Sequence, residues 1–251
     1  MKIELSQTGS IFSKGRRENM EDFIFPMHEC ASPKDKLFIV CDGMGGHAKG
    51  EIASKLAGET FATFLKPHLT ESISEALLSK AFDHVQNVFD DYIDINPESQ
   101  GMGTTVVLAL LFQEGVLVLH CGDSRLYHFR EGKIRWKTSD HSLVNEWVKQ
   151  GLITSEEAQH HPKTNIIVKA IQGKKTQKSR PDLHIIRDIL PNDYLLLCTD
   201  GIYNGVTESQ LTEILATNED VQAKLLHIKN LCEGNSSDNY SAYLINFQRI
   251  N

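Results

Sequence analysis

Apolar residues along this chain come in short, dense runs separated by polar turns. Residues 22–27, 36–41, 104–112, 116–122, 125–130, 133–138, 182–188, 194–199 and 241–248 are rich in Val, Ile, Leu, Phe and Tyr, and each reads as a strand. Two further stretches change period. Residues 48–65 place Ile52, Leu56, Phe61, Phe64 and Leu65 mostly three to five apart, and residues 72–93 do the same with Ile73, Leu77, Phe82, Val85, Phe89 and Tyr92. That spacing predicts amphipathic helices. Shorter helices are expected near 207–217 and 220–233, the first opened by Thr207 and Gln210 as a capping box.

Gln113-Glu114-Gly115 and Glu131-Gly132 are natural hairpin connectors, so residues 104–138 predict an antiparallel meander. The order of elements is not a repeated strand–helix–strand unit. It predicts an α+β fold, antiparallel sheets with helices segregated onto the outer faces. Residues 140–180 mix short helical pieces with polar, basic connectors between two strand blocks. They read as an excursion over the surface, a flap facing the substrate. Its lysines (Lys163, Lys169, Lys174, Lys175, Lys178) could recruit acidic or phosphorylated sequence, although solvation of a loop explains them as well.

Composition narrows the class of protein without identifying it. The chain has 251 residues, 40% of them apolar and 24% charged, with a net charge of −7. Such a length supports a sizeable core, and the acidic balance argues against a nucleic-acid surface. No apolar stretch approaches the roughly 20 residues of a membrane span, and the first residues lack the apolar core of a signal peptide. Five cysteines, Cys30, Cys41, Cys121, Cys198 and Cys232, stand singly. That usage suits a reducing compartment, and a cytoplasmic protein is expected.

The candidate chemistry lies where the strands end. "KLFIVCDGMGGHAKG" puts Asp42-Gly43 after one apolar run, "LLLCTDGI" puts Asp200-Gly201 after another, and "LHCGDSR" puts Asp123 after a third. Asp238 stands just before the last strand, and Glu21-Asp22 immediately precede an early one. Taken singly, each is an ordinary turn residue. Their recurrence is the signal. Strand ends from distant sequence meet at one edge of a packed sandwich, and carboxylates facing one another there repel unless cations sit between them. An all-oxygen donor set favours Mg²⁺ or Mn²⁺. Gly43 can turn its carbonyl toward a cation, while Gly45 and Gly46 let backbone pass close by. The same stretch has neither the Walker nor the dinucleotide-binding spacing.

In order along the chain, "GRRENMEDF", "VCDGMGGHAKGEIAS", "GMGTTVV", "CGDSRLYHFREGKI", "SDHSLV", "LLLCTDGI" and "SSDNYS" resemble the metal-dependent protein phosphatases of type 2C in their compact bacterial form. The likeness runs from about residue 9 to 247. It implies one catalytic domain over residues 1–251 with the flap at about 140–180, built as a four-layer αββα sandwich of two antiparallel sheets. It implies two Mn²⁺ or Mg²⁺ ions: Asp42 bridging them, Asp200 and Asp238 completing one, Glu21 and the Gly43 carbonyl the other. Asp22 acts through metal-bound water, and Asp123 with Asp200 holds a third, weaker ion. Arg17 grips the substrate phosphate, and a metal-bridging hydroxide attacks phosphorus in phosphoserine or phosphothreonine.

His47 is the candidate acid for the leaving alkoxide; a structural hydrogen bond for it, or proton delivery by water, are competing readings. Met44 stands where eukaryotic relatives carry a histidine. Met20 and Thr199 are milder departures, and neither removes a ligand. The implied partners are phosphorylated proteins, with a serine/threonine kinase as a candidate, and neither nucleic acid nor membrane. The rival readings are a non-catalytic scaffold of the same fold and a carboxylate-metal nuclease. The first would have lost a ligand, and the second would need a basic groove.

Overall fold

In the computed structural model the apolar runs form two antiparallel sheets stacked face to face, with helices on both outer surfaces. The structure describes residues 3–45, 49–69, 73–174 and 178–249. In chain order these hold β1 (Ile3–Ser13), β2 (Asp22–Phe25), β3 (Leu37–Met44), α1 (Lys49–Leu65), α2 (Glu75–Ile95), β4 (Gly103–Thr104), β5 (Val106–Phe112), β6 (Gly115–Cys121), β7 (Arg125–Arg130) and β8 (Lys133–Lys137). Residues 140–180 contribute α3 (Leu143–Lys149), α4 (Ser155–Gln159) and β9 (Ile171–Gln172). The remainder is β10 (Asp182–Ile186), β11 (Tyr194–Cys198), α5 (Asp200–Gly205), α6 (Glu208–Ala216), α7 (Val221–Asn235) and β12 (Tyr240–Arg249). Among the described residues one sheet has the order β1-β12-β11-β7-β8. The other runs β10-β6-β5-β3-β4-β9, with β2 paired to β3.

Strand alternation sorts the apolar residues into three layers of core. From β3, Phe38 and Val40 face the space between the sheets, whereas Leu37, Ile39 and Cys41 face α1 and α2. From β11, Leu195 and Leu197 point between the sheets, and Leu196 and Cys198 point toward α5, α6 and α7. Both faces of these strands are buried, which is why they read as unbroken apolar runs. Phe38, Phe61 and Phe82 are fully buried, each worth about 2 kcal/mol of transfer free energy. The helix expected near 207–217 is α6, and its Thr207–Gln210 capping box is present.

Three features differ from the sequence expectation. β1 was not expected, because its core-facing Leu5 and Ile11 are diluted by Glu, Gln, Ser, Thr and Gly. It is an edge strand whose partner is β12, so one ladder and few apolar contacts suffice. α5 is too short for a periodic signal. Residues 104–112 split into β4 and β5.

The 140–180 segment closes on itself where Ser142 bridges Ile167 and Val168 donates to the His141 carbonyl at 2.8 Å. It joins the second sheet where the His141 amide donates to the Gly122 carbonyl at 3.0 Å and β9 pairs with β4. Its lysines are engaged within the molecule: Lys169 with Asp182, Lys174 with Asp94, Lys178 with Asp90, and Lys163 over the Trp147 ring. Lys175 lies outside the described residues. Cys41, Cys121, Cys198 and Cys232 are buried free thiols, and burial pushes each thiol up, that of Cys121 to about 12.

Candidate active site

The alternation that sets Phe38 and Val40 between the sheets carries on to Asp42 at the end of β3. On the neighbouring strand Ile24 shares that face, and two residues earlier Asp22 stands directly opposite Asp42 in the ladder. The main chain around Asp42 is held tightly. Its amide donates to Thr105 Oγ1 at 3.1 Å, and its carbonyl accepts from the Thr105 amide and the Thr104 hydroxyl, both at 2.8 Å. Thr105 Oγ1 in turn lies 2.6 Å from Ser124 Oγ, beside Asp123. The threonines of "GMGTTVV" thus fix the spacing between two of the strand-end aspartates.

One residue on, the Gly43 amide donates to the Glu21 carbonyl at 3.0 Å. A Cβ at Gly43 would lie 2.0 Å from the Gly50 carbonyl oxygen, so β3 and the first turn of α1 are in backbone contact. A Cβ at Gly50 would lie 2.8 Å from the Gly43 carbonyl oxygen and 2.9 Å from Glu21 Oε1. These two oxygens therefore share the space that a side chain at position 50 would fill. The sequence offered one sign of this, a glycine inside a helical pattern.

From the other sheet, β11 delivers Asp200 to the first turn of α5, where the helix end favours negative charge. Thr199, just before it, donates to Asp22 Oδ2 at 3.0 Å. A Cβ at Gly201 would lie 1.9 Å from the Asn239 carbonyl oxygen, so α5 sits hard against the turn that carries Asp238. Arg17 donates to Asp238 Oδ2 at 2.7 Å and keeps 55% of its side chain exposed. Asn239, which sequence reasoning missed, binds the loop that bears Arg17 and Glu21. Its Oδ1 accepts from the Glu21 amide at 2.7 Å, and its Nδ2 donates to the Lys14 and Asn19 carbonyls at 2.8 and 2.9 Å. No signal in the sequence distinguishes that asparagine from any other.

The electrostatics follow from the crowding. Burial, reinforced by Asp22 and Asp200, pushes Asp42 well above the usual carboxylate range. Burial together with Asp200 and Asp238 raises Asp22 to about 8, despite the Thr199 hydroxyl. Burial and Asp238 raise Asp200 to about 6, and burial and Asp200 raise Asp123 to about 7. Burial also raises Glu21, although Arg17 pulls the other way. Asp200 Oδ1 is buried with no hydrogen-bond partner. Oxygen donors that repel one another, one of them orphaned, fit hard divalent cations. The Glu21–Gly43–Gly50 cradle fits them too.

Glu21, Asp22, Asp42, Gly43, Asp123, Asp200, Asp238 and Arg17 are thus brought to one rim of the sandwich; His47 lies outside the described residues. The rim is open. Among the described residues, the three donors whose ligand atoms fall within 4.8 Å of one another are instead His120, His141 and Asp182. That trio is poorly suited to a metal. His141 Nδ1 accepts from the Gly122 amide at 3.1 Å, which leaves the ring proton of the neutral side chain on Nε2, the atom nearest Asp182. Burial holds His141 neutral, down to about 4, and Lys169 Nζ already sits 3.2 Å from Asp182 Oδ1.

A family model described as "Protein phosphatase 2C" matches residues 16–228. A serine/threonine phosphatase, stp, from Listeria innocua is 35% identical over 199 residues, 76% of each chain. The crystal structure of the Mycobacterium tuberculosis serine/threonine phosphatase PstP/Ppp superposes with a TM-score of 0.83 at 28% identity, over 99% of this chain and 100% of that one. A structure of the PstP catalytic domain in complex with 2 manganese ions gives a TM-score of 0.82 at 27% identity, over 98% and 100% of the two chains. The chain belongs to the protein phosphatase 2C family. With that membership it is a metal-dependent protein-serine/threonine phosphatase.

Proposed function

We propose that this chain hydrolyses phosphoserine and phosphothreonine in proteins with two divalent ions, Mn²⁺ or Mg²⁺, held at the carboxylate rim. One observation carries the reading: Asp22, Asp42, Asp123 and Asp200 come from four separate segments and repel one another at the rim, Asp22 and Asp123 buried and Asp42 and Asp200 half-buried, with Asp200 Oδ1 left without a partner. Asp42, Asp200, Asp238, Glu21 and the Gly43 carbonyl would hold these two ions, with Asp42 shared between them and Asp22 reaching them indirectly. Asp123 with Asp200 would hold a third, weaker ion. Bound there, the ions supply Lewis acidity that activates water and neutralises charge on the phosphoryl group.

The chain's own part is positioning. Arg17 is exposed at the mouth, and its planar fork can exchange the Asp238 carboxylate for two phosphoryl oxygens. Asp238 is then free for a cation. Asn239 keeps Arg17 and Glu21 on one braced loop. His47 is the candidate donor to the leaving alkoxide. The chain works as one catalytic domain, with residues 140–180 as a flap facing the substrate. Its opposing partner is a serine/threonine kinase, and the net charge of −7 speaks against nucleic acid. Among the described residues no helix is long and apolar enough to cross a membrane, and four buried free thiols suit a reducing cytoplasm.

The deciding experiment offers a phosphothreonine peptide and a single-stranded nucleic acid to the protein with Mn²⁺, with EDTA, and with Mn²⁺ restored. Phosphate release from the peptide that EDTA stops and Mn²⁺ restores is expected, with the nucleic acid intact. Release that persists in EDTA, or cleavage of the nucleic acid alone, would overturn the reading.

A further inference from the structure

One side chain at the rim has no counterpart in the ligand set. Tyr203 lies three residues after Asp200 on α5, so one helical turn presents both toward Asp123. Its hydroxyl is 3.2 Å from Asp123 Oδ2 and 3.3 Å from the Asp123 carbonyl oxygen. Asp123 is only 8% exposed and lies in the turn after β6, where Gly122 takes a φ of +115°. A loop carboxylate held by its own backbone alone could swing between rotamers. Tyr203 is placed to prevent that.

The phenol is itself held rigidly. The Arg125 guanidinium stacks on the ring, with Cζ 3.5 Å from the centroid. Arg125 is fixed by two parallel hydrogen bonds to Asp140, from Nε at 2.9 Å and Nη2 at 2.7 Å, and by a third from Nη1 to the Tyr127 hydroxyl at 2.8 Å. A planar guanidinium locked at both edges cannot follow a moving ring. The order Asp140–Arg125–Tyr203–Asp123 therefore runs from a braced ion pair to the carboxylate at the rim. Each link is a direct contact, and the last is a hydroxyl on a candidate metal ligand.

Resting on the reading of Asp123 as a ligand of the weaker third ion, we infer that Tyr203 is a positioning residue: its hydroxyl fixes Asp123 through Oδ2 and leaves Oδ1 to ligate the cation. Groups that orient a metal ligand through its second oxygen typically alter metal affinity by roughly 10- to 100-fold when removed. The Arg125–Tyr203 stack alone needs no hydroxyl, so Tyr203→Phe separates positioning from packing.

The test is a Mn²⁺ titration of the full chain, reading free Mn²⁺ by electron paramagnetic resonance, for the wild type, Tyr203→Phe and Asp123→Asn. The expected result is a weak class of ion that Asp123→Asn abolishes and Tyr203→Phe weakens about tenfold, with the tight class unchanged in both variants. A weak class lost in Asp123→Asn but bound by Tyr203→Phe as tightly as by the wild type would overturn the role of Tyr203 alone. A weak class retained in Asp123→Asn would instead overturn the assignment of Asp123, and the role of Tyr203 with it.

Discussion

Asp22 and Asp42 are direct partners across the antiparallel β2–β3 pair, two acidic side chains on one buried face. Like charges in that position destabilise a sheet, and nothing in the local sequence requires them. Their cost is offset when cations bind the folded state alone. Asp42→Asn keeps the shape and removes one charge, so turnover should be abolished while the metal-free protein melts no lower than the wild type. Mn²⁺ should raise the wild-type melting temperature and leave that of Asp42→Asn almost unmoved. Melting curves in EDTA and in Mn²⁺ check this; equal Mn²⁺ stabilisation of the two proteins would remove Asp42 from the shared ligand position.

Arg17 holds Asp238 at 2.7 Å but is more than half exposed. Exposed pairs contribute at most about 1 kcal/mol to stability, so Arg17→Ala should melt close to the wild type. Its loss should be felt by substrate. Charge-assisted hydrogen bonds to phosphate are worth about 1.5–3 kcal/mol, so the Michaelis constant should rise by roughly 10- to 150-fold. Steady-state kinetics on a phosphopeptide decide it. An unchanged Michaelis constant would return Arg17 to a surface ion pair.

A stability test away from the rim is offered by Asp193, whose side chain is fully buried in the turn before β11. Burial alone would raise its pKa. Hydrogen bonds from His128 at 2.8 Å, from Arg130 Nε and Nη2 at 2.9 Å, and from the Leu190 amide at 2.8 Å outweigh burial and hold it below the usual carboxylate value. A depressed folded-state pKa stabilises above the unfolded value and loses that contribution as pH falls through the folded one. Asp193→Asn removes the charge-assisted bonds to His128 and Arg130, leaving Arg130 with Asp188 alone, and should cost about 2 kcal/mol at neutral pH. The gap to the wild type should shrink below about pH 4. Urea titrations at both pH values measure it, and a gap that widened in acid would reverse the argument.

The layers were legible because strands buried on both faces carry unbroken apolar runs, as in β3, β11 and β12. β1 was not, since an edge strand needs only a few apolar contacts and its polar residues hide the pattern. The rim carboxylates were legible because aspartate is a costly residue at the end of a buried strand, and it recurs there in this chain. Gly50, Thr105, Tyr203 and Asn239 were not read as site residues. Each is an ordinary residue type that acquires its role from a contact made across the fold: a shared space beside Glu21, a bond to the Asp42 amide, a hydroxyl on Asp123, a clamp on residues 14–21. Local pattern carries no trace of such partners.

That last clamp can be measured directly. Asn239 is buried and accepts one hydrogen bond while donating two, all to the loop that bears Arg17 and Glu21. Asn239→Asp keeps the acceptor facing the Glu21 amide but sets a carboxylate oxygen against the Lys14 and Asn19 carbonyls, which lose the Nδ2 donor; Lys14 keeps only the Arg17 amide at 3.4 Å. Leaving buried polar groups unpaired costs about 1–3 kcal/mol, a penalty that residues 14–21 can escape by detaching from the turn. Amide exchange in residues 14–21 should therefore accelerate, while exchange in β11 and β12 stays at wild-type rates, and kcat/KM should fall by at least about tenfold as Arg17 and Glu21 lose their common anchor. Slow exchange in the loop together with lost activity would mean that Asn239 acts through Asp238 beside it and not through the loop.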